Sequence, residues 1–592
     1  MLTETLRRLC MGAACTWLVA CGVRVADTPW QPTAGQRAEI AGTVTAFLNG
    51  QADISPLALP TAPTLQVYLA LWSGGERLAQ VWASGLVAAL HLAGADLSPA
   101  QLAAVDNVEV SLAYGFRDLD PAALGDDLSP VHRGVRGLEV IHGEQVLRFA
   151  PSQMIAENLS FERALGRAAR VLRMDGQTLI DEAQLATFEA AQLVIEPEPL
   201  PGRATSLLRG NQLIPQSAVD RRSLDVFART MQQWMLANLH PDGRMTYMYY
   251  PATGRESDNN NMIRQWMATL CLTRMGIASG NVHILGRAHD NIRYNLAAFY
   301  REERGLGLIE YRDKVKLGAI ALAALAILEH PAREEFAGEL AGLVAATDHL
   351  WREDGSFQTF YRPAERSADP NLHNFYPGET LLLWASLLER GADPQRAERF
   401  MRSFAYYRDW HLENRKPSFI PWHTQAYFME WQRTGDPALR DWIFEMNDWL
   451  LAMQTHSRLA YDDTLGRFYD PAPERVHFGP PHASSTGVYL EGLIDAYQLA
   501  LAEGDSERIR VYADSIERGL RSAMQLQFRD DAASWFVADM ARVSGGLRTT
   551  VYNNVIRVDN VQHTLMAVLK MRAHLASQPG SPLLVDASDA RQ

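Results

Sequence analysis

Cysteine is almost missing from the body of this 592-residue chain. Cys10, Cys15 and Cys21 crowd its first 21 residues, and Cys271 stands alone in an apolar stretch. A single thiol can build neither an internal disulfide nor a thiolate zinc site, so Cys271 reads as a small core residue. After residue 20 there is no charge-free apolar run long enough to span a bilayer. An excess of basic charge is missing too. Lys plus Arg number 56 against 69 Asp plus Glu, a net charge of −13, and that balance argues against a nucleic-acid partner. What remains is ordinary globular composition, 47% hydrophobic and 21% charged. The length exceeds what one core serves, which predicts two or more domains.

The N-terminus has the pattern of an export signal. Arg7 and Arg8 precede an apolar run over residues 9–20, too short for a permanent membrane span. Residues 18–22, Leu-Val-Ala-Cys-Gly, resemble the lipobox of bacterial lipoproteins. The resemblance implies cleavage before Cys21 and lipid on its sulfur. Gly22, in place of aspartate, fits sorting to an outer membrane. The alternative is an ordinary secretory signal with a chance cysteine. The expected plan is a signal over 1–21, a tether over 22–35, membrane attachment through Cys21, and a cell-envelope location, on an outer membrane facing the periplasm.

Residues 36–195 mix helix and strand signals and predict an α+β domain. A helix over 37–48 is followed by strands over 65–72 and 77–82 about the Gly74-Gly75 turn, and a helix from Leu86. A strand over 108–114, a hairpin about Gly143 and a helix over 161–171 complete it. Leu97-Ser98-Pro99 with Leu102, Val108-Glu109-Val110-Ser111-Leu112, Arg136 to Val140 and the run from Leu147 to Pro151 resemble the AMMECR1 domain family. That family's L-R-G-C-I-G hallmark falls on Leu78-Ala79-Gln80-Val81-Trp82-Ala83. Its cysteine and glycines are gone, so the domain is expected to be a scaffold or binding module. Residues 196–218, rich in Pro and Gly, read as a linker. Residues 577–592 read as a disordered tail.

The stretch HNFYPGETLLL, from His373, organises residues 219–576. It is a polar and aromatic lip running into a buried helix. The same shape begins at Asn259, Tyr311, Pro421, His482 and Arg557, and the starts are about 45 to 75 residues apart, the length of a helical hairpin with its loops. Six hairpins predict an all-α closed ring, an (α/α)6 toroid, with the polar lips at one mouth. Short aromatic segments after the turns at Gly243, Gly355 and Gly466 repeat the theme. With Tyr376-Pro377-Gly378-Glu379 and Asp559-Asn560-Val561-Gln562-His563, the region resembles the α/α-toroid glycan enzymes. These include the C-terminal domain of D-glucuronyl C5-epimerase, the N-acylglucosamine 2-epimerases and the six-hairpin glycosidases. The resemblance implies a polysaccharide substrate or ligand. The lanthionine cyclases and prenyltransferases need a cysteine zinc site, and the triterpene cyclases a D-x-D-D motif; the chain has neither.

The lips carry the chemistry. Tyr249, Arg264, His373, Glu379, Asp559 and His563 are the catalytic candidates. Tyr250, Asn260, Tyr311, Asn374, Tyr376, Trp422, His423, His482 and Asn560, with Lys314, are candidates for gripping sugar. Epimerisation or elimination beside a carboxylate needs a base, a cation to neutralise that carboxylate, and a proton donor on the other face. Hydrolysis needs two carboxyl groups at a set separation, for which Glu379, Glu491 and Asp559 are available. A non-catalytic toroid binding glycan, or proteins of an export assembly, is the third alternative. Each residue also has a plainer reading. Glu379 suits the first turn of a helix dipole, Asp559 suits a cap, and His373 and His563 suit a packed core. Lys314 and Lys316 suit a solvated surface. No metal or cofactor is expected, since His477 and His482 flank Pro480-Pro481 and lack a third ligand.

Overall fold

The computed structural model describes residues 30–51, 66–120, 124–454, 461–469, 483–581 and 583–584. Cys21, the signal and His482 lie outside them. The N-terminal unit runs α1 (Ala34–Leu48), β1 (Gln66–Ser73), β2 (Glu76–Ala83), α2 (Leu86–Gly94), α3 (Pro99–Ala103), β3 (Asn107–Asp118), α4 (Leu124–Asp127), β4 (Arg136–His142) and β5 (Gln145–Phe149). Then come α5 (Pro151–Ala156), α6 (Phe161–Leu172), α7 (Gly176–Glu182), β6 (Gln184–Glu196) and β7 (Arg203–Leu207). The strands form one antiparallel sheet in the order β2-β1-β3-β6-β4-β5, with β7 also on β6.

The sheet has two buried faces. Val67, Leu69 and Leu71 of β1 pack under α1 and α2. Their neighbours Tyr68, Ala70 and Trp72 belong instead to the core of the helical region. β6 is buried along nearly its whole length, so it shows none of the alternation of a half-exposed strand. The expected linker over 196–218 needs correcting, because β7 extends the sheet and Gln525 anchors the segment after it. Asn211 donates to the Gln525 carbonyl at 2.8 Å, and the Ile214 N–H to its side chain at 2.9 Å. The flanking prolines and glycines hid a five-residue strand.

The helical region runs α8 (Arg221–Ala237), β8 (Met248–Tyr250), β9 (Arg255–Glu256), α9 (Met262–Ser279), α10 (Val282–Phe299), β10 (Tyr300–Glu303), β11 (Leu306–Tyr311), β12 (Lys314–Lys316), α11 (Leu317–Glu329) and α12 (Ala337–His349). It continues with β13 (Phe360–Arg362), α13 (Tyr376–Arg390), α14 (Pro394–Glu413), α15 (Ile420–Thr434), α16 (Pro437–Leu451), α17 (Ala483–Glu503) and α18 (Ser506–Gln525). α19 (Met540–Val543), β14 (Arg548–Thr550), β15 (Asn553–Arg557) and α20 (Val558–Ser577) end it. Helices α9, α11, α13, α15, α17 and α20 pack each on the next, and α20 returns to α9, closing a ring. Outside it, α10, α12, α14, α16 and α18 back their partners, and α8 backs α20. Each inner helix begins at one of the six polar lips.

Inner and outer helices differ as their places demand. α11 buries every residue from Leu317 to Leu328, as a helix enclosed on all sides must. α14 buries only Phe400, Ser403, Phe404, Tyr407 and His411, one stripe at helical spacing. At about 1.5–3 kcal/mol per buried large apolar side chain, the inner helices carry most of the stabilisation per residue. No helix among the described residues is long and apolar enough to cross a membrane.

The two units share a buried seam. Arg209, 1% exposed, pairs with Asp463, 2% exposed, at 2.8 Å, and also donates to the carbonyls of Val131 and Arg133. Glu109 accepts from Trp72 of its own sheet at 3.1 Å and from Trp535 of the ring at 3.3 Å. Burial lifts the Glu109 carboxyl to about 7, against hydrogen bonds from Ser152 and both tryptophans. The expected disordered tail is corrected in its first part. Leu583 and Leu584 are buried, and the Leu584 N–H reaches Glu517 at 2.9 Å. An apolar pair after a proline-rich turn docks because it has core to cover.

Candidate functional site

The starts of the inner helices gather at one end of the ring, and most of them lack the side-chain caps of the outer ones; the exceptions are inner α9, capped by Asn261, and outer α12, which begins on Phe336 without a cap. α8, α10, α14, α16 and α18 begin on Asp220, Asn281, Asp393, Asp436 and Asp505, whose side chains accept first-turn N–H groups. α11, α13, α15 and α20 begin on Lys316, Phe375, Phe419 and Arg557, with no side-chain cap. Four sets of first-turn N–H groups at this end of the ring therefore have no side-chain acceptor from their own N-cap residue, and four helix dipoles have their positive ends there.

Four of the catalytic candidates converge there: Arg264, Glu379, Asp559 and His563. Arg264, the third residue of α9, holds Asp559 of α20 at 3.1 Å. Arg557 holds the same carboxylate with two bonds, 3.0 and 2.5 Å. Burial would raise the Asp559 pKa, but Arg264 and Arg557 outweigh it and keep the group ionised below the usual range. Glu379 has the opposite fate. It is 4% exposed, its Oε2 has no hydrogen-bond partner, and burial lifts its pKa to about 7 against the pull of Arg264 and Lys316. Arg264 on α9 and Glu379 on α13 stand two places apart round the ring, with Lys316 at the start of α11 between them. Tyr376, buried one turn before Glu379, has its hydroxyl pKa raised by burial and by Glu379.

Lys316 completes the charged side. Burial lowers its ammonium pKa, and the cations Lys314, Arg366 and Arg264 lower it further. Gly318 explains how the carboxylate fits. A side chain there would collide with Glu379 and with the Tyr376 ring, so the α11 backbone approaches Glu379 as only glycine permits.

A second group adjoins the first. His563, one turn beyond Asp559 on α20, bonds through Nδ1 to Glu491 of α17 at 2.7 Å. Trp422 sets its ring edge-on to His563 at 5.9 Å, and its Cβ lies against Gly378. Further along α20 and α17, Lys570 bonds Asp495 at 2.7 Å and the Glu491 carbonyl at 3.0 Å.

No family model matches the chain, and no curated protein matches it. Solved structures similar to it include a D-mannose isomerase, at 11% identity over 61% of this chain and 100% of that one, with a TM-score of 0.46. An unsaturated glucuronyl hydrolase from Bacillus sp. GL1 is similar at 15% identity over 59% of this chain and 97% of that one, TM-score 0.44. An uncharacterised protein from Pyrococcus horikoshii is similar at 14% identity over 29% of this chain and 96% of that one, TM-score 0.25.

The remaining expected site residues lie elsewhere. Tyr249 is buried under the Arg542 guanidinium, 5.1 Å from its ring, and Tyr250 is exposed. Asn260 donates to Tyr294 and accepts from Gln265, between α9 and α10. Tyr311 packs edge-on to Phe299, on the outer side of its hairpin. His373 faces Tyr407 and Trp410 of the outer helix α14, and Asn374 donates to the Asn371 carbonyl. His423 is stacked on Phe419 at 3.6 Å, donates through Nδ1 to the Phe419 carbonyl, and is driven by burial to a pKa of about 3. Asn560 donates to the Leu547 carbonyl and Thr549. A lip of five or six residues winds past the mouth, and only the positions on its inner side reach it. Lys316 and Arg557 were not among the expected site residues. The signal for Arg557 was its two-residue spacing from Asp559, which lets one guanidinium fork a carboxylate. Among the described residues no His, Cys, Asp and Glu group could hold a metal.

Proposed function

We propose that the ring is a carbohydrate-acting enzyme whose mouth performs acid–base chemistry on a uronic-acid residue of a polysaccharide. The observation that carries this is Glu379, a buried carboxyl with an unpartnered oxygen that burial lifts to about 7, within the field of Arg264 and Lys316. A general base works best with a pKa near the operating pH. In this reading Lys316 and Arg264, helped by uncapped helix starts, neutralise the sugar carboxylate. Glu379 removes the proton from the carbon beside it, and the cations stabilise the enediolate that forms. His563 returns a proton on the other face, which inverts the centre, or Tyr376 or His563 protonates the departing oxygen, which breaks the chain. Asp559 stays ionised and fixes Arg264. Attachment through Cys21, an envelope location and docking to export proteins belong to the same proposal.

Glycoside hydrolysis is the second reading. It draws on the split between a neutral Glu379 and an ionised Asp559, the division of roles that acid and base carboxyls need. Incubation with uronate polysaccharides in deuterated water, followed by proton NMR, separates the readings. Deuterium beside the carboxylate without new chain ends means epimerisation. Unsaturated ends mean elimination, and saturated reducing ends mean hydrolysis. Binding without change across a broad panel leaves a glycan-binding scaffold.

A further inference from the structure

We infer that the N-terminal unit is part of the catalytic apparatus, and that Asn158 is a positioning residue acting through β15 on the Arg557–Asp559 pair. This rests on the functional reading above. Asn158 comes after α5 in the left-handed region, at φ 49°, a conformation that asparagine tolerates better than most residues. Its Oδ1 accepts from Arg133 at 2.7 Å and from the Asn554 N–H at 3.2 Å, while its Nδ2 donates to the Asn553 side chain at 3.2 Å. Asn554, 1% exposed, returns a bond of 2.6 Å to the Ile155 carbonyl. Arg133 is braced in turn, since its carbonyl accepts from Arg209, the residue that ties the units together.

These bonds grip the first two residues of β15. The strand then runs five residues from Asn553 to Arg557, roughly 13 Å at the usual strand rise. β8 holds it along one side, through Ile556 against Tyr249 and Arg557 against Met248. Arg557 ends the strand and forks Asp559, which holds Arg264. Asp559 and Arg264 are at the charged side of the mouth. β14 pairs along the other side of β15, Thr550 against Asn553 and Arg548 against Ile556, so the start of β15 is held jointly by the helical region's own hairpin and by Asn158 of the other folding unit. Asn158 and the Arg557–Asp559 pair thus act on opposite ends of one five-residue strand.

The test uses the full chain. Asn158→Gly keeps the left-handed backbone and removes all three side-chain bonds; Asn554→Ala removes the bond to Ile155 alone. Hydrogen exchange read by mass spectrometry reports on residues 553–560, and turnover of the uronate substrate is tracked against pH. The expected result for Asn158→Gly is faster exchange in 553–560, kcat lower by roughly tenfold at nearly unchanged KM, and an acidic limb of kcat/KM moved to higher pH as Asp559 loses its fork. Asn554→Ala should show the same changes more weakly. Unchanged exchange overturns the inference, and so does faster exchange with kcat and the pH profile intact, which would make the bonds merely structural. Glu379→Gln, run in parallel, keeps the two claims apart. Loss of turnover in Glu379→Gln alone overturns the role of Asn158 and leaves the functional reading standing. Full turnover in Glu379→Gln sinks that reading. If the wild type turns over nothing, the role in catalysis falls with it.

Discussion

The mouth, on the inner side of α15, and the packing of α15 against the outer helix α14, on the other, both bury polar groups and treat them in opposite ways. On one side Arg264, Lys316, Glu379 and Asp559 act on each other. On the other, His411 and His423 sandwich Phe419, with ring centroids at 4.2 and 3.6 Å, and both imidazoles are driven to a pKa of about 3. Unpartnered buried atoms occur on both sides: Glu379 Oε2 on the first, His423 Nε2 and both nitrogens of His411 on the second. A buried polar atom alone therefore does not mark a site. What separates the sides is charge. The histidines shed theirs and pack as aromatic rings, whereas the carboxyls stand among cations that offset burial, fully for Asp559 and partly for Glu379.

The most severe test of that contrast is Glu379→Gln. It should lower turnover by roughly 10²–10⁴-fold, with a melting temperature at or above wild type because a buried ionisable group is gone. Turnover within a few-fold of wild type would erase the distinction between the sides. Stability against pH comes next, with opposite signs on the two sides. The Glu379 pKa is raised in the fold, so its contribution is complete below the unfolded carboxylate value and declines as pH rises toward 7. The His423 pKa is lowered, so its contribution is complete above the unfolded imidazole value and declines as pH falls toward 3. Each should be worth on the order of 3 kcal/mol across its window. Denaturant titrations of Glu379→Gln should show the alkaline decline flattened, and those of His423→Phe the acid decline. Glu109 in the seam adds a second alkaline decline of the same sign.

Gly318→Ala should have a smaller effect. Its methyl group must displace the Glu379 carboxylate or the Tyr376 ring, at about 1–3 kcal/mol for overpacking. Turnover should fall along with stability, whereas displacement of a purely structural carboxylate would change stability alone. The smallest effect belongs to His423→Phe at neutral pH. A ring of similar shape replaces a neutral stacked ring, so the stability change should stay under ~1.5 kcal/mol and turnover should be unchanged. A large loss of turnover would move the functional site to the aromatic side.

The stretch from His373 shows where sequence reading succeeded and where it stopped. The apolar period and the repeated polar starts foretold six inner helices, because enclosure on all sides demands continuous apolar residues whatever the neighbours are. Tyr376 and Glu379 do reach the mouth, yet His373, three residues before Tyr376, faces Tyr407 and Trp410 outside the ring. No local rule separates them, since the lip is irregular and its direction is set by what it packs against. β6 went unread because both its faces are buried, and β7 because its bonds are to a strand rather than to neighbours in sequence.

Composition and periodicity by themselves determined the two-part organisation, a mixed N-terminal region before a helical one, together with the polar starts of the inner helices. These arise from burial, which each residue's chemistry declares locally. The tertiary structure decided which lip residues come together at the mouth. It decided that Arg264 serves Asp559 while Glu379 stays without a close partner, and that Asn158, some 400 residues before Arg557 by the order of the chain, steadies the strand that ends there. Those outcomes depend on charges and strands brought together from distant segments, and the field at a carboxyl depends on what surrounds it in space.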